Sequence, residues 1–230
     1  MPINTQGWRL LSLTLCFVAF LGFVRGAALS DSIEFETLRK AAVTRFGADA
    51  VASVSDWEKF IAGSGSAPVL TQLSATNDFF NGRLRWATDE EIYGVEDYWA
   101  TPLETLGSGE ADCEDFTIAK YITLLALGVD PKSLRLVYVK AFRPGGLNQA
   151  HMVLAWYENP TAVPLILDNI NTAVLPAVNR QDLTPIFSFN ADDLWISGAN
   201  DPSSANPQLR ISRWRQVLER IANEGFRATW

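Results

Sequence analysis

The chain has 230 residues, and 48% of them are hydrophobic, enough for one domain with a real buried core. A formal charge of −7 argues against nonspecific nucleic-acid binding, which needs a basic surface. With 1 histidine and 2 cysteines, no usual ligand spacing supports a zinc site.

Residues 1–28 read as a secretory signal. Arg9 supplies the charged flank. Residues 10–24 form a mostly apolar run, shorter than the ~20 residues a membrane-spanning helix needs. Gly26, Ala27 and Ala28 offer small residues for cleavage. Removing the segment takes away Arg9, Arg25 and Cys16 but no acid. The expected mature domain, 29–230, then carries 17 basic and 26 acidic residues, a formal charge of −9. Its only cysteine is Cys113 and its only histidine is His151. An exported protein with one thiol forms no internal disulfide, so Cys113 is either inert in the core or kept free for chemistry.

Apolar spacing predicts amphipathic helices over 31–46, 51–62 and 70–86. The first uses Ile33, Phe35, Leu38, Ala42 and Val43. The third is weakened at Asn81-Gly82 and carries Trp86 inward. Residues 89–106 read as an aromatic loop holding Tyr93, Tyr98 and Trp99; any exposed members are candidates for contact with a partner protein. Gly107-Ser108-Gly109 reads as a flexible lead into Cys113, and a helix over 116–127 follows. That sets the thiol at or just before a helix N terminus, where free N–H groups and the helix dipole favour a thiolate.

The period then changes. Strands are expected over 134–142, 150–157 and 165–169, with a turn at 144–146. Weaker strand signals lie at 174–178, 185–190 and 194–196, then a polar loop at 201–207 and a closing helix over 211–224. The order predicts an α+β fold: a helical lobe and the Cys113 helix packed on an antiparallel meander.

If the turn after the second strand is centred near Asn159-Pro160, His151 falls opposite Asp168. A shift of the centre by one residue leaves them diagonal neighbours. A thiol, an imidazole and a carboxylate suit acyl transfer. The thiolate attacks a carbonyl, the imidazole moves the proton, and the carboxylate fixes the ring tautomer. The Cys113 backbone N–H would help hold the oxyanion. Asp112, Glu114 and Asp115 crowd the cysteine and should raise its pKa, opposing the helix effect. They fit two roles equally, capping of the helix or ligation of calcium.

These segments together resemble a known family. Asp97-Tyr98-Trp99-Ala100-Thr101-Pro102-Leu103-Glu104, Asp112-Cys113-Glu114-Asp115, Gln149-Ala150-His151-Met152-Val153-Leu154 and Leu167-Asp168-Asn169 are similar to the bacterial transglutaminase-like cysteine proteinases. Among these the resemblance is to periplasmic proteases that cut surface adhesins. It implies a papain/transglutaminase-like fold with nucleophile Cys113, base His151 and third member Asp168. It implies calcium on Asp112 and Glu114, with Asp115 as a candidate third ligand. It further implies a periplasmic enzyme that cuts a large surface adhesin near its N terminus and so releases biofilm cells. The implied second partner is an inner-membrane receptor for cyclic di-GMP that holds the enzyme inactive. A transglutaminase, with an amine replacing water, is the rival reading; a binding module that docks the receptor and cuts nothing is another.

Overall fold

The computed structural model describes residues 33–142, 148–197, 202–203 and 206–227; the segment 1–28 and the turn at 144–146 lie outside these. Among the described residues, no helix is long and apolar enough to cross a membrane.

Helices α1 (Phe35–Phe46), α2 (Ala48–Ser64) and α3 (Val69–Asn81) build the N-terminal lobe. Gly47 separates the first two at φ 90°, a conformation that suits glycine. α2 buries Ala50, Val54, Trp57 and Ile61, a stripe at helical spacing. α1 buries Phe35, Leu38 and Ala42, but Val43 is exposed, because it lies one position round from that stripe.

The third helix does not reach Trp86. It stops at Asn81, where the Gly82 N–H caps the Asp78 carbonyl. The chain then enters β1 (Arg85–Trp86), which pairs in parallel with β2 (Glu110–Ala111) and leaves the Trp86 side chain exposed.

The stretch expected as an aromatic loop holds two short helices, α4 (Asp89–Tyr93) and α5 (Pro102–Ser108). Each starts with a reciprocal capping box, Thr88 with Glu91 and Thr101 with Glu104. Nor is the glycine-serine run flexible lead. Gly107, in the last turn of α5, lies so close to Phe46 that a Cβ would come within 2.4 Å of its ring, and Gly109 caps the helix at φ 70°. The buried Glu104 carboxylate gathers Arg45 from α1, the Tyr98 hydroxyl and Arg220 from the C-terminal helix.

Cys113 opens α6 (Cys113–Ala126). This helix is buried on nearly every side, including Lys120 and Tyr121. Beneath it lies a six-stranded sheet of β3 (Leu134–Phe142), β4 (Asn148–Trp156), β5 (Leu165–Leu167), β6 (Leu175–Pro176), β7 (Leu183–Phe189) and β8 (Leu194–Ile196). All neighbours are antiparallel, in the order β6-β5-β4-β3-β7-β8. Only β3 to β6 form the expected meander; β7 returns to the free edge of β3.

Leu134, Leu136, Met152, Leu154, Leu167 and Phe189 join the main core with α6. Val137, Val139, Val153, Ala155 and Ile166 form a second, smaller cluster of opposite pleat parity. After α7 (Pro207–Arg210), α8 (Ser212–Asn223) closes the fold. Its Trp214 is fully buried, packs on Tyr121 and Phe189 at 5.7 and 5.4 Å, and donates its indole N–H to the Asn190 carbonyl at 3.0 Å.

Candidate active site

The site forms where a strand ends early. β5 stops at Leu167, level with Leu154, so the main-chain groups of Met152 on that side have no strand partner. The start of α6 takes the place of the missing strand. Thr117 Oγ1 donates to the Met152 carbonyl at 3.2 Å, and the Met152 N–H is directed to the Cys113 sulfur. The half-buried thiol thus rests against the residue that follows His151.

His151 and Asp168 meet. His151 Nε2 and Asp168 Oδ1 are 2.8 Å apart, and both side chains are buried. The paired residues are Leu154 with Leu167 and Trp156 with Leu165, one residue of turn centre from the expected register. Continuing that register sets Asp168 across from Val153, with His151 its diagonal neighbour on the same face. Nε2 is occupied by the carboxylate, so Nδ1 is the ring nitrogen left to exchange a proton with a thiol.

Asp168 is held by more than the imidazole. Oδ1 also accepts from the Ile170 N–H at 2.9 Å, and Oδ2 accepts from Arg180 Nη2 at 2.6 Å. Burial would raise this carboxyl, but the bonds from His151, Ile170 and Arg180 outweigh it and hold it well below the usual range. Asn81 donates to the Asp168 carbonyl at 2.7 Å, which ties the end of α3 to the same corner.

The thiol is in a different situation. Burial, then the Glu114 and Asp112 charges, push the Cys113 pKa well above its ordinary value. Its Sγ donates to Glu114 Oε2 at 2.9 Å. The acids and burial therefore defeat the helix effect expected to favour a thiolate.

Those acids do not serve mainly as caps. Asp112 occupies the N-cap position of α6, yet its side chain makes no capping bond. Asp89, Asp112 and Asp115 each place a carboxylate oxygen within 4.8 Å of the others, and Asp89, Asp97 and Glu114 form an adjoining set. Asp89 Oδ2 accepts from the Tyr98 N–H at 2.6 Å, and Asp115 Oδ1 accepts from the Ala100 N–H at 2.7 Å. The other oxygens, Asp89 Oδ1 and Asp115 Oδ2, are buried without a partner, as is Asp112 Oδ1. Burial, reinforced by neighbouring carboxylates, raises the Asp89 pKa to about 6 and that of Asp112 to about 10, and drives that of Asp115 up as well. Converging, desolvated, unpartnered carboxylate oxygens are the donor set of a hard divalent cation.

Sequence reasoning missed Asp89 and Arg180. Asp89 sits inside Thr88-Asp89-Glu90-Glu91 and looks like an ordinary first-turn acid. Arg180 follows a short 3-10 turn, Ala177–Asn179, which has no periodicity to read. Of the aromatics offered as partner contacts, Trp99 is buried, stacked on Phe189 at 6.0 Å.

The family model for bacterial transglutaminase-like cysteine proteinases matches residues 58–183. The chain belongs to that family. It is a cysteine protease with the transglutaminase-like fold. Solved structures of Legionella pneumophila LapG are similar: one is 36% identical over 82% of this chain and 98% of that one, with a TM-score of 0.70. A calcium-bound LapG structure is 38% identical over 82% and 99% of the two chains, with a TM-score of 0.71. An EGTA-treated one is 36% identical over 82% and 98%, also with a TM-score of 0.71. No curated protein matches the chain.

Proposed function

We propose that this cysteine proteinase is a periplasmic, calcium-dependent endopeptidase that cuts the N-terminal region of a large surface adhesin. Release of the adhesin would disperse biofilm, and an inner-membrane receptor for cyclic di-GMP would restrain the enzyme through its periplasmic domain. The observation that carries the catalytic part is the 2.8 Å His151–Asp168 pair, on the residue next to the backbone group that meets the Cys113 sulfur. In this reading Cys113 attacks the scissile carbonyl, and the His151 Nδ1 takes the thiol proton and returns it to the leaving amine. Asp168 keeps the proton of the ring on Nε2, and the Cys113 N–H at the start of α6 faces the developing oxyanion.

Asp89, Asp112, Glu114 and Asp115 would hold calcium, which the family resemblance supports and the unpartnered buried oxygens fit. Bound there, the ion would offset the negative charge that keeps the thiol protonated. Asp89 and Asp115 also grip the backbone at Tyr98 and Ala100, so the loop leading into α5 would be fixed with the acids.

The test is incubation of the mature chain with the N-terminal segment of an adhesin encoded nearby. Two fragments are expected with calcium and none with chelator. Calcium should restore cutting to the wild type, more weakly to Asp89→Asn, and not to Cys113→Ala. A cross-linked product would make the protein a transglutaminase instead, and cutting indifferent to chelator would remove calcium from the reading.

A further inference from the structure

Arg180 is a buried cation that the roles above leave unused. It is 3% exposed, at the end of the 3-10 turn that follows β6. Its guanidinium forks across two carboxylates. Nη2 reaches Asp168 Oδ2 at 2.6 Å and Asp182 Oδ2 at 2.7 Å, and Nε reaches Asp182 Oδ1 at 2.9 Å. Asp182 lies just before β7, and its carbonyl accepts from the Phe142 N–H at the end of β3 at 2.8 Å. The clamp therefore runs from the β3–β7 ladder to the carboxylate beyond β5. Meanwhile Asp168 itself has only a three-residue strand behind it.

We propose that Arg180 is a positioning residue for the catalytic imidazole: it holds Asp168 in the one orientation that fixes the His151 tautomer. The inference rests on the reading of His151 as the base. Asp168 Oδ2 is committed to the guanidinium, so only Oδ1 is left to face the ring, and that oxygen accepts the hydrogen bond from Nε2–H. Without the fork, the carboxylate is free to rotate about its Cα–Cβ and Cβ–Cγ bonds. The ring then loses its fixed acceptor, and the Nδ1–H form, which cannot accept the thiol proton, becomes populated. A lysine carries the charge but not the planar pair of donors, so it cannot bridge both carboxylates in the same geometry. Because Arg180 is buried and acts through Asp168, its removal should lower kcat and leave KM in place.

The chain has 1 histidine, so the imidazole nitrogens of a tag-free, nitrogen-15-labelled protein report on His151 alone. The wild type is expected to show the Nε2–H tautomer. Arg180→Met should show a mixture of tautomers and a kcat lower by about 10- to 100-fold, with KM within about two-fold. Arg180→Lys should lie between the two on both measures, and it decides the matter if the methionine variant does not fold. A folded variant of either kind with wild-type kcat and a pure Nε2–H ring would overturn the proposal. So would a loss that falls wholly on KM or only on thermal stability. The ring measurement needs no turnover, so a protein that cuts nothing would refute the protease reading while still testing the clamp.

Discussion

At the scale of single residues, the Cys113 helix carries a second unusual group. Lys120 is 1% exposed and sits over the Phe116 ring at 5.5 Å. Burial lowers its pKa from 10.5 to about 7, against the pull of Asp168 and Asp78. Between those two values the unfolded chain binds a proton that the folded chain does not, so this residue makes stability rise with pH across the window. Its full penalty is present below about 7. Lys120→Met, which keeps the volume and removes the ammonium, should therefore be more stable than the wild type at pH 6, by on the order of a few kcal/mol. The gain should shrink as the pH is raised and vanish near 10.5. Denaturant titrations of both proteins across that range measure it; a gain independent of pH would mean that the lysine takes up its proton at the same pH folded and unfolded, and that burial does not shift it.

At the scale of elements, the last helix supports the helix that Cys113 opens. Trp214 of α8 contacts Tyr121 of α6 edge-on and closes the core beside Phe189. Large-to-small changes at fully buried aromatics cost about 3–5 kcal/mol, since the cavity collapses only in part. Trp214→Ala is expected to lose that much, a fall in Tm of roughly 10 °C for a domain of this size. Calorimetry with a probe of peptidase activity separates two outcomes. If α8 only adds stability, activity at low temperature is unchanged. If it also sets the position of α6, activity falls before unfolding begins. The capping boxes of α4 and α5 belong to this scale too. Both T-x-x-E signatures, Thr88 to Glu91 and Thr101 to Glu104, stand in the sequence and mark helix starts in a stretch whose aromatics suggested only a loop.

At the scale of the whole molecule, the charge and the amino-terminal segment make one prediction. If the chain is exported, its N-terminal residue after processing should be Ala27 or Leu29, following cleavage after Gly26 or Ala28. Sequencing of the protein recovered from the periplasm checks this; an intact Met1 would turn the apolar run into an anchor. The two-layer arrangement also explains why the site lies where it does. A short β5 leaves one side of β4 open at Met152, and the Cys113 helix docks its N terminus into that opening. Each element is ordinary, and the site is made by the mismatch in their lengths.

The sequence by itself determined the α+β order, a helix starting at or just after Cys113 and the meeting of His151 with Asp168, expected directly across the strands and found one residue of turn centre away, on the diagonal. Those follow from local periodicity and from one turn, which are encoded by neighbours along the chain. Tertiary structure alone decided the rest. Asp89 joins Asp112 and Asp115 only because α4 folds back beside the start of α6, and Arg180 reaches Asp168 only because the chain turns after β6. It also decided the charge balance at the thiol. A helix N terminus favours the anion and the adjacent Glu114 and Asp112 oppose it, as the string already shows; burial is the largest cause and settles the balance against the anion, and burial cannot be read from a linear string.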